Sequence, residues 1–170
     1  MITKDELASR LLSACAEVKA AEGELTEIDS RFGDADHGLT MCKIATAIEE
    51  SVRESEGGIQ AMLDDVAMAV MTLNGGSAFP LWNTWLDGLQ EAAPEGNEAD
   101  SEDLKAMFAN ALAELSDISG AQVGDKTLMD AFVPAIEAIQ ACEGNEAALF
   151  EAAAQAALTG AERSKDFPSK

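Results

Sequence analysis

Apolar residues recur along the chain at spacings of three and four, which is the period of an amphipathic α-helix. The repeats predict successive helical segments at residues 7–18, 41–52, 62–73, 81–89, 104–115 and 129–139, with an alanine-rich run at 145–161. Alternating runs of β-branched residues with hairpin turns do not occur between them. We therefore predict an all-α fold, a bundle of amphipathic antiparallel helices.

Glycine, proline and polar residues separate these segments. Gly23 is expected to break the first helix, and Asn74-Gly75-Gly76 to end the third. Pro80 fits the first turn of the next helix, where its missing N–H costs no hydrogen bond. Residues 94–101 are polar and helix-breaking, so we interpret them as a surface loop rather than a domain boundary. Residues 1–170 are thus predicted to form a single domain, with a 47% hydrophobic content that can supply its core.

The charge balance excludes several classes of partner. The chain has 32 acidic against 11 basic residues and a net charge of −21, which argues against DNA, RNA or an anionic membrane as a partner. A salt-adapted source would explain the acidity equally well. No stretch predicts a membrane span or a secretion signal, so we expect a cytoplasmic protein. Cys15, Cys42 and Cys142 lack metal-ligand spacing and are predicted to be reduced, mostly buried thiols.

The densest polar cluster in the sequence lies within residues 29–40, which contain three aspartates and the only histidine, His37. Asp29, Asp34 and Asp36 cannot share one face of a helix. A loop in which Gly33 and Gly38 adopt positive φ can aim all three carboxylates at one point. Hard oxygen ligands select Mg²⁺, Ca²⁺ or Mn²⁺, and phosphate oxygens often complete a magnesium shell, so this loop predicts a phosphate-handling magnesium site.

A plainer interpretation of the same loop also holds at this point. In so acidic a chain the aspartates can form a solvated turn that caps the next helix. Two further junctions between helices, residues 74–81 and 124–130, have the same ambiguity. The pair Gly75-Gly76 precedes a helix N-terminus that can meet a phosphate, or it is a simple turn. Gly124-Asp-Lys-Thr127 is a capped helix start with Asp125 at the cap, or part of a site.

Taken together, the three junctions resemble those of a known family. The first reads Leu25-Thr-Glu-Ile-Asp29-Ser-Arg-Phe-Gly33-Asp34-Ala-Asp36-His37-Gly38-Leu-Thr40-Met41. It is similar to the Leu-x-x-Leu-Asp-x-x-x-Gly-Asp-x-Asp-His-Gly-x-Asn-Met motif of the nucleotide-binding L subunit of dihydroxyacetone kinases. The family's Gly-Asp-Lys-Thr, Asp and Val-Pro-Ala elements are matched by Gly124-Asp-Lys-Thr127, Asp130 and Val133-Pro-Ala135.

The resemblance implies a barrel of about eight amphipathic helices, with ADP or ATP and two Mg²⁺ held at one rim. It implies magnesium ligation by Asp29, Asp34 and Asp36. The residues it places beside the nucleotide are His37, Gly38, Leu39, Thr40, Gly75, Gly76, Ser77, Ala78 and Leu128. The implied function is that of the subunit that presents the phosphoryl donor to a short ketose, such as dihydroxyacetone, held on a partner K subunit. The donor is either ATP or a bound ADP that a phosphocarrier protein recharges.

Three departures from the family pattern leave a second function open. Ser77-Ala78-Phe79 stands where the family has Ala-Ser-Gly, and Thr40 stands where it usually has Asn. The chain is also expected to lack the family's Arg-containing C-terminal lid segment and last helix. The alternative function is therefore a non-catalytic relative that senses nucleotide or docks to a partner.

Overall fold

The computed structural model describes residues 1–76 and 78–168 of the chain. In this part of the chain, helices account for nearly all of the regular structure, as the periodicity predicts. Their bounds are α1 Lys4–Ala20, α2 Glu22–Asp29, α3 His37–Glu54, α4 Ile59–Met71, α5 Ala78–Glu91, α6 Ser101–Ser119, α7 Met129–Ala141 and α8 Glu146–Arg163. The all-α prediction is confirmed.

Side-chain caps fix the starts of three helices. Thr3 accepts the N–H of Glu6 while the Glu6 carboxylate accepts the N–H of Thr3, which forms a capping box at α1. Asp100 and Asp103 form the same arrangement at α6. Asn145 accepts the N–H of Ala148 at α8. These caps determine where α1, α6 and α8 begin.

Neighbouring helices run antiparallel, as hydrogen bonds between them show. Gln60 at the start of α4 donates to the carbonyl of Gln90 at the end of α5, at 3.4 Å. Gln140 at the end of α7 donates to the carbonyl of Lys105 at the start of α6, at 2.8 Å. The connections therefore alternate between two ends of the molecule. We call the end that holds the α2–α3, α4–α5 and α6–α7 connections the aspartate end.

The helices surround an apolar interior. An apolar cavity of about 520 Å³ lies between α1, α3, α5, α6 and α8, so the bundle has the form of a barrel. Aromatic side chains pack beside it, with the rings of Trp85 and Phe132 edge to face at 4.5 Å between centroids. Arg10 of α1 lies over the ring of Phe150 of α8 at 4.7 Å, which joins the first and last helices.

The opposite end holds a small antiparallel ladder that the sequence did not predict. Strand β1, Ile2–Thr3, pairs with β2, Glu98–Ala99. Ile2 and Ala99 face each other and are 3% and 1% exposed. The segment 94–101 is therefore only partly the surface loop we expected, because the N-terminus covers it. The signal was missed because two residues are too few to show an alternating pattern.

Two further expectations need correction. The first helical break falls at Ala21, and Gly23 lies inside α2, where a glycine is tolerated at modest cost. All three cysteines are free, but only Cys15 is buried, and Cys42 and Cys142 are partly exposed. Burial raises the pKa of the Cys15 thiol to about 11. No helix of the described residues has the length and hydropathy that a membrane span needs.

Candidate nucleotide and magnesium site

Three carboxylates meet at the aspartate end. Asp29 is the last residue of α2, Asp34 lies in the following loop, and Asp36 directly precedes α3. One oxygen from each of them lies within 4.8 Å of the others, with Asp29 half-buried and the other two exposed. The loop therefore brings together the three predicted ligands. Oxygen donors at this separation match a hard cation such as Mg²⁺.

Asp29 also organises the loop around itself. Its carbonyl accepts the N–H of Phe32 at 3.0 Å and of Gly33 at 2.7 Å. Its carboxylate accepts the N–H of Asp36 at 3.1 Å and of His37 at 3.3 Å. A carboxylate thus does cap α3, as the plainer interpretation expected, but it belongs to Asp29. The side chain of Asp36 makes no such bond and remains available to a ligand.

The negative charge of each carboxylate makes ionisation of its neighbours less favourable. Partial desolvation within the loop raises the pKa of the Asp36 carboxyl above its usual value, and the charge and hydrogen bond of Asp34 and the charge of Asp29 raise it further. The charge of Lys43 acts in the opposite direction. A cation placed among the three carboxylates would remove this repulsion, which is the electrostatic condition for a metal site.

The glycines of this loop serve close packing. A Cβ atom on Gly33 would lie 2.1 Å from the Asp29 carboxylate, and one on Gly38 would lie 2.3 Å from the carbonyl of Glu22. Neither has the positive φ that we expected from the sequence. Ala35, between Asp34 and Asp36, takes the left-handed conformation instead, with φ of 62°. The strained residue of the loop is therefore an alanine.

The remaining predicted residues of the first junction differ in exposure. His37 and Leu39 are exposed at the start of α3, whereas Gly38 and Thr40 are buried. The side chain of Thr40 is 8% exposed, so its departure from the family's Asn lies at the edge of the core. A ligand at the helix N-terminus would meet His37 and Leu39 first.

The second junction lies at the same end, before α5. Gly75 and Gly76 are exposed, and Ala78 begins the helix. Ser77 lies outside the described residues. Phe79 is 5% exposed and its ring packs on Gly75, where an added Cβ would lie 2.2 Å from a ring carbon. Phe79 is therefore a core residue whose ring occupies the space on one side of Gly75.

The third junction is organised by a buried carboxylate that no pattern of residue spacing singled out. Asp130 is 1% exposed and accepts the N–H of Gly124 at 2.6 Å and of Thr127 at 2.9 Å. Asp125 is not the helix cap: α7 begins at Met129, and the Asp125 carboxylate accepts the N–H of Gln122. From the sequence, Asp130 was identified only as a match to the family motif. The N–H groups that its carboxylate accepts lie in the turn before its own helix.

An apolar cleft joins the second and third junctions. It has a volume of about 370 Å³ and lies between the start of α5, the end of α6 and the loop before α7. Its lining is Pro80, Leu81, Ile118, Ser119, Ala121, Thr127, Leu128 and Met129. The predicted residue Leu128 therefore lines a cleft that it shares with Pro80 and Leu81 of the second junction. Because helices alternate in direction, the aspartate loop lies at this same end of the barrel.

The sequence matches a known domain over most of its length. Residues 31–170 match the DAK2 domain family. The chain belongs to this family. It is 31% identical over 160 residues to the "PEP-dependent dihydroxyacetone kinase, ADP-binding subunit DhaL" of Escherichia coli, an alignment that covers 87% of this chain and 76% of that protein.

Two longer relatives contain a similar region. The chain is 33% identical to the D-erythrulose kinase of Mycolicibacterium smegmatis over 96% of its own length and 30% of that protein. It is 30% identical to dihydroxyacetone kinase 2 of Saccharomyces cerevisiae over 95% of its length and 27% of that protein. This DAK2 chain thus spans under a third of these kinases and matches one part of them.

The fold also matches a solved structure. The dihydroxyacetone kinase from C. freundii, crystallised in complex with AMP-PNP and Mg²⁺, superposes with a TM-score of 0.74 and 25% identity. The match covers 96% of this chain and 29% of the crystallised one. The helical barrel described above is therefore the fold of a DAK2 domain.

Proposed function

We propose that this chain is the nucleotide-binding subunit of a kinase for short ketoses. It binds ADP or ATP with Mg²⁺ and presents the phosphoryl donor to a ketose held on a partner subunit. One observation carries the proposal: three carboxylates whose oxygens lie within 4.8 Å of one another, in a chain that belongs to the DAK2 family. The E. coli relative is named as an ADP-binding subunit, and the C. freundii relative was crystallised with AMP-PNP and Mg²⁺.

The residues at the aspartate end fit this role chemically. Asp29, Asp34 and Asp36 supply the oxygen ligands for two Mg²⁺, which when bound neutralise the charge that develops on the phosphates during in-line transfer. The N–H of His37 is already taken by the Asp29 carboxylate. Phosphate oxygens would therefore meet the N–H groups that follow it in the first turn of α3. Gly75 and Gly76 let the backbone approach the phosphates closely. The apolar cleft at Leu128 accepts the base.

The exposed apolar side chains favour a partner at this same end. Most of the large hydrophobic residues that are more than half exposed surround it: Ile28, Phe32, Leu39, Met71, Ile118 and Val123. Exposed apolar groups that cluster around a site are typical of a protein–protein interface. We propose that a K subunit carrying the ketose covers this surface. Docking there brings the acceptor hydroxyl to the nucleotide and excludes water from the transfer.

The alternative, a non-catalytic nucleotide sensor, loses one of its arguments. It rested partly on Phe79, which stands where the family has glycine. Phe79 is buried against Gly75 in the core, so the bulk of its ring is accommodated by packing. The two candidate donors, ATP from solution and ADP recharged by a phosphocarrier, are distinguished by supplying each of them separately in an activity assay.

The metal assignment is tested by calorimetry. We expect Mg²⁺-dependent binding of ADP or ATP to the wild type and its loss in Asp34→Ala and Asp36→Ala proteins. Both variants should stay folded, because removing one of several repelling carboxylates does not weaken the barrel. Asp64→Ala, an exposed aspartate on α4, is the matched control and should bind normally. Unchanged nucleotide affinity in the Asp34 and Asp36 variants would refute the site.

The activity is tested by reconstitution. The chain alone should not phosphorylate a ketose, whereas a mixture with a K subunit, Mg²⁺ and either ATP or a phosphocarrier should phosphorylate dihydroxyacetone or a four-carbon ketose. If nucleotide binding is confirmed but neither donor supports turnover with several K subunits, the kinase function is refuted and the sensor function replaces it.

A further inference from the structure

Lys43 lies on the exposed side of α3, seven residues after Asp36, which is about two helical turns. Residues three, four and seven apart share a helix face, so Asp36, Leu39 and Lys43 form one strip along α3. The other faces of this part of the helix pack against the rest of the protein. Gly38, Thr40, Met41 and Ile44 are buried, and the thiol of Cys42 lies 3.7 Å from the Glu22 carboxylate of α2.

Helix geometry favours a Lys43 side chain that extends toward the carboxylates. The Cα–Cβ bonds of a helix tilt toward its N-terminus, so a long side chain extends back along the preceding turn. From Lys43 this direction passes Leu39 and reaches the start of α3.

Other basic residues at this end are engaged elsewhere. Arg31 pairs with Glu27 at 3.1 Å. Lys126 donates to the carbonyls of Lys165 and Phe167, at 3.0 and 3.2 Å. Within the part of the chain that the structure describes, Lys43 enters no hydrogen bond or ion pair. Its ammonium is therefore free to meet a ligand.

We propose that Lys43 is a phosphate-binding residue of this site, whose ammonium contacts the nucleotide phosphates that the magnesium ions do not neutralise. The inference rests on the proposed function. Its physical reason is the charge of the molecule: at a net charge of −21, an anionic nucleotide is repelled except where a cation receives it. A lysine beside the metal loop supplies a positive charge that is present before the metal binds.

The test compares Lys43→Ala with Arg53→Ala in the full-length chain. Arg53 is exposed at the far end of the same helix, so its removal changes the net charge equally without touching the site. Calorimetry with Mg²⁺–ADP should show binding weakened about tenfold by Lys43→Ala and unchanged by Arg53→Ala. Lys43→Arg should restore most of the affinity, because arginine keeps the charge.

A second titration separates phosphate binding from a purely structural role. With Mg²⁺ alone, Lys43→Ala should bind the ion roughly threefold more tightly, because a repelling positive charge has been removed. With adenosine, which has no phosphate, the variant and the wild type should be alike. A thermal melt should show that the variant is folded.

Opposite effects on Mg²⁺ and on Mg²⁺–ADP are the signature of the proposal. If Lys43→Ala weakens both, or if it matches Arg53→Ala with Mg²⁺–ADP, Lys43 is not a phosphate-binding residue and the inference is wrong. If the wild type itself binds no Mg²⁺–ADP, the proposed function fails first. The two failures are therefore distinguishable in one set of titrations.

Discussion

Asp29 shows how one residue can combine a structural and a chemical role. Its carbonyl and carboxylate together receive four backbone N–H groups of the loop and of the start of α3. One of its carboxylate oxygens also lies within 4.8 Å of carboxylate oxygens of Asp34 and Asp36. A loop fixed in this way would hold the proposed ligands before a metal arrives, which would lower the cost of ordering them on binding.

Ala35 provides a prediction about the strain in this loop. With φ of 62°, it occupies a conformation that costs a non-glycine residue about 1–2 kcal/mol, and glycine avoids this cost. After the greater freedom of glycine in the unfolded chain is subtracted, Ala35→Gly should raise the free energy of unfolding by about 0.5–1 kcal/mol. Urea denaturation of the metal-free protein measures it.

The control for Ala35→Gly is the same substitution in a regular helix. Ala154 is exposed in the middle of α8, and Ala154→Gly should lower the stability by about 1 kcal/mol. Equal losses in both variants would show that Ala35 is unstrained.

The crossing of α7 and α8 illustrates how an element supports the site. Pro134 has no N–H to offer the carbonyl of Asp130 four residues earlier, and α8 approaches that carbonyl through Gly160. A Cβ on Gly160 would lie 1.9 Å from the Asp130 oxygen. The side chain of Asp130 meanwhile holds the loop before α7. A shift of α8 relative to α7 at this crossing would therefore also move the loop of the third junction.

Gly160→Ala tests this coupling. The added methyl must push apart two backbones, so we expect a loss of about 3 kcal/mol in unfolding free energy and weaker nucleotide binding. Gly23→Ala is the control, because Gly23 is exposed in α2 and an added Cβ would meet no atom within 4 Å. This control should gain about 0.5–1 kcal/mol. Equal stability of the two variants in chemical denaturation would contradict the role of the crossing.

At the scale of the whole molecule, the aspartate end combines the carboxylates with a ring of exposed apolar residues. Phe32 is the extreme case: it is 98% exposed, while its backbone N–H is fixed to the Asp29 carbonyl. An aromatic ring held in water beside a candidate site is typical of a binding hot spot. The rest of the surface is strongly acidic, so the partner that docks here should carry basic residues around an apolar pocket.

Phe32→Ser should weaken binding to a K subunit by about 2 kcal/mol in a calorimetric titration, because the ring is buried only in the complex. Mg²⁺–ADP binding should not change, since the backbone bond that positions the loop is retained. Glu98→Ala in β2, at an exposed residue at the opposite end of the molecule, is the control and should bind the K subunit normally. A complex unaffected by Phe32→Ser would place the interface elsewhere.

The sequence alone determined the helices and the chemical character of the site. Helical periodicity is carried by residues three and four apart, so the apolar stripes were enough to predict nearly every helix. The aspartate motif concentrates its ligand candidates in eight positions from Asp29 to Asp36, and the structure places their oxygens together. The break near residue 21 was misplaced because a glycine inside a helix resembles a helix end.

Only the tertiary structure decided what depends on residues distant along the chain. Phe79 stands where the family motif has a glycine, and only its burial against Gly75 and the core shows that it is a packing residue. Asp130 became the organiser of its loop because α7 and α8 bury it, and the pairing of Ile2 with Ala99 joins residues from opposite halves of the chain. Such contacts leave no periodic trace in the sequence, because they arise when separate elements pack together.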